Sequence, residues 1–299
     1  MRNKKSMLAM IVLIASLMLA CSSLPFTSSN NTQQNDTPQE EIIEITTEPT
    51  TAPEPVVNSN QKCNNIFYPL LPENEWIYEF QGQEENSQMG MSVSELESGD
   101  IAVNMLGLET GVTSQTQIEC DNTTIVNFPL ISMGLLMGDY LDGDIEITHV
   151  SGIFMPNEAT FTESDWTTNW QGEYSAKGSM YINYEGDEAM VTLDDSPIRM
   201  EWSVPEEGQP TTETITVQAG TFEDATRIHR TVEMDASVNL SSDGSNFMVD
   251  GTIILEQTLW YKAGVGLLKQ EINEASVKAF GIQYPVILDG TIELVEFRN

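Results

Sequence analysis

From Lys62 to Asn299 the chain keeps returning to one pattern, an apolar residue at every second position, and that period most limits what it can fold into. In "TRIHRTVEM" (226–234), Ile228, Val232 and Met234 fall on one side, and Arg227, His229, Thr231 and Glu233 on the other. Successive side chains of a strand point to opposite faces, so the alternation predicts a half-buried β-strand. "EWIYEF", "IAVNMLGL", "TSQTQIEC", "GSMYINY", "AMVTL", "GTIILEQTLWY" and "GTIELVEF" read the same way. Turn residues separate them at Ser98-Gly99-Asp100, Asp142-Gly143, Glu185-Gly186-Asp187 and Ser242-Asp243-Gly244. Helical spacing is thin: "FPLISMGLLMGDY" (128–140) and "INEASVKAFGI" (272–282) are the stretches that suit short helices. Closely spaced strands between turns predict a mainly β fold, an antiparallel barrel or sandwich. "EWIYEFQGQ" from Glu75 is echoed by "DWTTNWQGE" from Asp165. Either the domain 62–299 has two similar halves, 62–155 and 156–299, or the echo is coincidence.

The forty or so residues before this domain have another character. The segment 21–61 is rich in Thr, Asn, Gln, Glu and Pro, has no basic residue, and has no sustained period. Such a stretch buries too little apolar surface to offset its ordering entropy. It reads as a disordered acidic tether, spanning on the order of 35 Å root-mean-square as a flexible chain.

Ahead of the tether, Arg2, Lys4 and Lys5 precede an almost wholly apolar run from Met7 to Ala20. Crossing the hydrocarbon core takes about 20 residues, so this run is short for a span. A basic start, a short apolar middle and small residues at the end describe an export signal, residues 1–20. Its last residues, Leu17, Leu19, Ala20 and Cys21, resemble the lipobox of bacterial lipoproteins, L-[AS]-[GA]-C. The resemblance implies cleavage before Cys21, a diacylglycerol thioether on its sulfur, and acylation (commonly palmitate) of the new amino group. Several acyl chains anchor stably, each buried CH₂ contributing ~0.8 kcal/mol. The domain then faces the periplasm or the exterior from the outer face of a bacterial membrane. Ser22 is not the Asp that would signal inner-membrane retention in a two-membrane host.

Charge excludes one class of function. The chain has 46 acidic and 12 basic residues, a net charge of −34, and removing residues 1–20 takes away Arg2, Lys4 and Lys5 but no acid. Nucleic-acid binding needs clustered Lys and Arg, and no Lys or Arg lies between Lys62 and Lys177. The acidity serves solubility, a divalent cation or a cationic partner. With Cys21 acylated, Cys63 and Cys120 remain, an even pair in a compartment where disulfides persist. A bridge would be worth ~4 kcal/mol on the chain-entropy model. The rival reading, a cysteine nucleophile or metal site, has only His149 and His229 to draw on and no C-x-x-C spacing.

Three stretches resemble a family of uncharacterised bacterial lipoproteins, many from Chloroflexi-type filamentous bacteria. "CNNIFYPLLPENEWIYEF" (63–80) is similar to its C-x-x-x-Y-[FY]-P-L-x-x-G-x-x-W-x-Y opening. "VQAGTFEDATRI" (217–228) is similar to its V-x-A-G-T-F strand pair, and "WYKAGVGLLKQE" (260–271) to its G-V-G-L-x-K segment. The resemblance implies a curved antiparallel open-barrel sheet, like the half-barrels of periplasmic lipoprotein carriers and lipid-binding mycobacterial lipoproteins, with a few short helices. Physically, Gly220, Gly264 and Gly266 suit turns that need a positive φ, with Phe222 folding back and Val265 packing inward. The same turns would suit the mouth of a ligand site.

Catalytic chemistry has little to build on. No G-x-S-x-G elbow, H-E-x-x-H, P-loop or dinucleotide fingerprint is present. His149 and His229 read as ordinary sheet histidines or as general bases, and no carboxylate pair stands out for a hydrolase. Asp139, Asp142, Asp144 and Glu146 cluster in "DYLDGDIE" and would suit Ca²⁺, or simply a solvated turn, since the EF-hand spacing is missing. Eleven methionines in the domain fit plain core packing or the lining of a lipid-like cavity. Two non-catalytic functions therefore lead, with a hydrolase third. One is binding of an apolar or lipid-like ligand, without cofactor. The other is envelope or cell-surface assembly through protein contacts. The anchor is tested directly: Cys21→Ser is expected to shed the protein from membranes or leave an unprocessed precursor in a fractionation blot. Membrane partitioning of a cleaved Cys21→Ser chain would refute it.

Overall fold

The computed structural model describes residues 62–81, 86–111, 113–128, 145–163, 168–184, 187–204, 212–242, 245–286 and 290–299. Along them run β1 (Asn64–Asn65), β2 (Tyr68–Pro69), β3 (Glu75–Gln81), β4 (Ser87–Glu95), β5 (Ile101–Gly107), β6 (Thr113–Asp121), β7 (Thr124–Asn127) and β8 (Ile145–Gly152). Helix α1 (Glu158–Glu163) follows, then β9 (Asn169–Tyr184), β10 (Asp187–Ser203), β11 (Thr212–Val217), β12 (Gly220–Ser242), β13 (Ser245–Lys262), β14 (Gly266–Ala279), β15 (Ile282–Val286) and β16 (Thr291–Arg298). The fold is mainly β, as the alternation predicts. All pairings are antiparallel, and one sheet runs β7-β6-β5-β4-β3-β16-β14-β13-β12-β10-β9-β8. β11 pairs with the start of β12, and β15 with the end of β14.

The sheet curls until its two ends nearly meet. Ile125 of β7 donates its N–H to the Met155 carbonyl at 2.9 Å, and Phe154 N donates to Ile125 O at 2.9 Å. The chain can turn out of β8 to reach this seam because Gly152 has φ +81°, where a side chain would run into the Gln171 carbonyl. Asn65 locks the seam from inside. Its Nδ2 donates to Thr123 O and to Pro156 O, both at 2.8 Å, one on each side of the gap. Its Oδ1 accepts from Phe67 N at 2.9 Å, which shapes the β1–β2 turn. Beside it the Cys63–Cys120 disulfide ties the start of the domain to β6, with Cα atoms 5.5 Å apart.

Beyond Asn65, residues 66–70 enter the barrel as a plug. Phe67, Tyr68 and Leu70 are buried. Tyr68 packs against Phe128, Phe154 and Tyr261 with centroids 5.2–5.6 Å apart. Phe67 meets Phe161 of α1 edge-on at 5.2 Å. Asn157 caps that helix, its Oδ1 accepting from Thr160 N at 3.0 Å. Trp170 and Trp202 stack at 5.9 Å behind them. Each such ring pair is worth about 0.5–1.5 kcal/mol beyond area burial. The quoted 63–80 and 260–271 stretches meet here. Trp76 Nε1 donates to Val265 O at 2.6 Å, and Gly264 N to Ile66 O at 2.8 Å.

The 272–282 stretch is not helical: it is the end of β14, the Phe280-Gly281 turn and the start of β15. Opposite β13, Ile272 pairs with Gln257 and Glu274 with Glu256, leaving Asn273 as a bulge. That extra residue shifts the inward phase from Ile272 to Ala275 and Ala279, and spacings of three and four imitate a helix. Of the 128–140 stretch only Phe128 lies among the described residues. The seam makes a sharp prediction. Asn65→Ala should lower stability to urea unfolding by on the order of 3 kcal/mol, because the buried Pro156 carbonyl and Phe67 N–H and the part-buried Thr123 carbonyl all lose this side chain as a partner. Asn104→Ala, on a half-exposed cross-strand contact to Ser94, should change it by less than about 0.5 kcal/mol.

Candidate functional site

The inward face of β12 carries Ile228, Arg230, Val232, Met234 and Ala236, all buried. Four of these five are apolar. Arg230 is only 2% exposed. It sits in the middle of a row across three strands, paired with Trp202 on β10 and Gln257 on β13. Arg230 Nε donates to Gln257 Oε1 at 2.7 Å and Nη2 to Gln270 Oε1 at 2.9 Å. No carboxylate pairs with it among the described residues. Their ion pairs lie elsewhere, on at least partly exposed side chains such as Arg199–Glu233 and Lys269–Glu271. An unpaired charge so placed costs several kcal/mol of desolvation.

The surroundings of this cation are rich in donors. Gln257 Nε2, Trp202 Nε1 and the Tyr78 hydroxyl are buried without a partner among the described residues. Tyr68, Tyr174 and Tyr261 lie close enough to exchange electrostatic effects with the guanidinium. Burial lowers the Arg230 pKa, and those three tyrosines pull it back up. Burial also raises the tyrosines: Tyr68, Tyr78 and Tyr174 go up, and Tyr261 is pushed up to about 12, with Arg230 opposing the rise at Tyr68, Tyr174 and Tyr261. Chemically, the centre is a positively charged set of hydrogen-bond donors, suited to holding an acceptor.

None of these groups was singled out by the sequence reading, although one signal was there. Arg230 interrupts the apolar side of "TRIHRTVEM", between Ile228 and Val232. His229, on the opposite face, has its Nδ1 3.3 Å from Thr258 Oγ1, which also accepts from Asn273 Nδ2 at 2.8 Å. Burial and then Arg227 lower its pKa. His149 pairs across strands with Tyr174, its ring 5.4 Å away. Asp139, Asp142 and Asp144 lie outside the described residues, and Glu146 is in β8. Among the described residues no group of three or more His, Cys, Asp or Glu side chains is arranged to hold a metal. Met91, Met155, Met200 and Met234 are core residues, whereas Met248 is 70% exposed. Cys21 lies outside the described residues. No helix among the described residues is long and apolar enough to cross a membrane.

No protein-family model and no curated protein matches the chain. Two solved structures are similar to it. One is a Bacteroides fragilis protein described as exported with a YmcC-like fold, 13% identical, TM-score 0.41, over 79% of this chain and all of that one. The other is a Parabacteroides distasonis protein described as a lipoprotein, 19% identical, TM-score 0.42, over 80% of this chain and all of that one.

The inner tyrosines predict alkaline behaviour. Their folded pKa values lie above the ordinary 10.0, so the folded state holds protons that the unfolded state has lost. Their contribution to stability is complete below about pH 10 and falls as pH rises from there through the folded values. Absorbance at 295 nm should therefore show these tyrosines ionising only together with loss of near-UV circular dichroism. Their ionisation in a chain that keeps its near-UV signal would contradict the burial.

Proposed function

We propose that the chain is a non-catalytic exported lipoprotein, held to the outer face of a bacterial membrane through acylated Cys21, whose curved sheet binds an apolar or lipid-like ligand. The observation that carries this reading is the inward face of the sheet towards the hairpin ends. Above the plug, Ile253 on β13, Val277 on β14, and Ile282 and Tyr284 on β15 share the face of Met234 and Leu255. They remain partly open, Ile282 to 52%. Apolar surface of this kind on a concave sheet favours a guest, since large uncovered apolar patches are rare in soluble monomers.

A second reading, envelope or surface assembly through protein contacts, is favoured by a different observation. Met248, near the start of β13, and Phe280, in the β14–β15 turn, are 70% and 76% exposed. Native mass spectrometry of the full-length membrane-extracted protein separates the two. The ligand reading expects a non-covalent acyl-bearing molecule, in roughly equal ratio to protein and lost on organic extraction. Only the anchor's own acyl groups, with no saturable uptake of an environment-sensitive dye, would overturn it in favour of surface assembly.

A further inference from the structure

An apolar guest alone leaves the cation inside the barrel without a role, and among the described residues no acidic side chain pairs with Arg230. We infer that Arg230 receives the carboxylate head of an acyl chain, making the ligand a fatty-acid-type anion. The inference rests on the lipid-binding reading and names the ligand class within it.

Three features of the site converge on that chemistry. First, the donors form a row. Trp202, Arg230 and Gln257 are direct cross-strand partners on β10, β12 and β13, all facing inward. Among the described residues Arg230 has only neutral carboxamide oxygens as hydrogen-bond partners, and Gln257 Nε2 and Trp202 Nε1 have none. Buried donors are satisfied in native proteins as a rule, so the row calls for an acceptor. Second, the charge matches. One guanidinium balances one carboxylate, whereas a phosphate dianion would leave a net negative charge buried, and a neutral head would leave the cation uncompensated.

Third, the rows towards the hairpin ends are apolar. The next pairs are Val232 with Met200 and Leu255, then Met234 with Ile198 and Ile253, then Ala236 with Gly251. From Arg230 to Ala236 the strand advances about 20 Å, the length of a common acyl chain. The last of these rows has the smallest side chains, and Ala279 pairs with Gly251 beside it. Val232, Met234, Ile198, Met200 and Leu255 are at most 5% exposed, so an acyl tail entering from the open Ile282 end would have to part these rows. It would then meet carbon along the tail and donors at the head.

The test uses the full-length protein in nanodiscs, titrated with dibromostearate and, separately, with dibromostearyl alcohol. Bromine quenches tryptophan on contact, and Trp170 and Trp202 are beside the site. The expected result is saturable quenching by the acid, with the alcohol at least about tenfold weaker. Arg230→Gln should bring the acid down to the level of the alcohol, with near-UV circular dichroism checking its fold. If Arg230→Gln does not fold, the wild-type pH dependence decides: acid binding should weaken as the carboxylate protonates, while alcohol binding stays level. Equal saturable binding of acid and alcohol would overturn the head-group inference and leave the lipid-binding reading standing. No saturable quenching by either would overturn both.

Discussion

Asn65 makes three hydrogen bonds through one side-chain amide, and the shape of the barrel depends on them. One side-chain amide donates to carbonyls on both sides of the seam while its oxygen folds its own turn. Asn65 is fully buried, and its bonds to Pro156 O and from Phe67 N are buried too, so losing the side chain leaves a core carbonyl without its donor. The disulfide at Cys63 and the N–H of Cys63, bonded to Asn122 O at 2.8 Å, hold the same segment to the same edge. Cross-links of this kind act mainly by restricting the unfolded chain. The seam is therefore closed by polar geometry and kept in place by a covalent tie.

Closing the seam positions the plug, and the plug brings aromatic rings to a buried charge. Tyr68 arrives from residues 66–70, Tyr174 and Trp202 from the strands β9 and β10, and Tyr261 from β13. Strands β12 and β13 supply Arg230 and Gln257, and β14 supplies Gln270. The result is a barrel interior whose polarity is concentrated at one level. The outside behaves differently. Its ion pairs, such as Arg298 with Glu75 and Glu296, are exposed, and such pairs contribute about 0–1 kcal/mol each. The remaining carboxylates have few cations to meet, so solvation is their main account.

Register irregularities give the sheet its curvature. β8, β10, β14 and β16 each carry at least one break in pairing with a neighbour, at Val150, between Leu193 and Ser196, at Asn273 and at Val295. A bulge adds a residue to one strand, bends it and increases its twist. Asp195 in the β10 break has φ +50°, a conformation that suits such a bend. Strands as long as β12, at 23 residues, could not wrap a core if they stayed flat.

By itself the sequence determined the fold class and the position of most strands, because period-2 alternation is a local property of half-buried backbone. The runs beginning at Glu75, Ile101, Thr113 and Gly290 need no partner to be recognised. Local chemistry also marked the turns at Gly99 and Gly264, since a positive φ is inexpensive only for glycine. Only the tertiary structure decided the rest. A bulge is defined by the strand opposite, so Asn273 could not be told from a helical step within 272–282. Asn65 looks like any loop asparagine until two distant carbonyls are brought to it. Arg230 was visible as one charge on an apolar face, but its meaning depends on what lies across from it. The absence of a counter-ion among the described residues is a property of the assembled interior, and Gln257, Gln270 and Trp202 reach that point from three other strands.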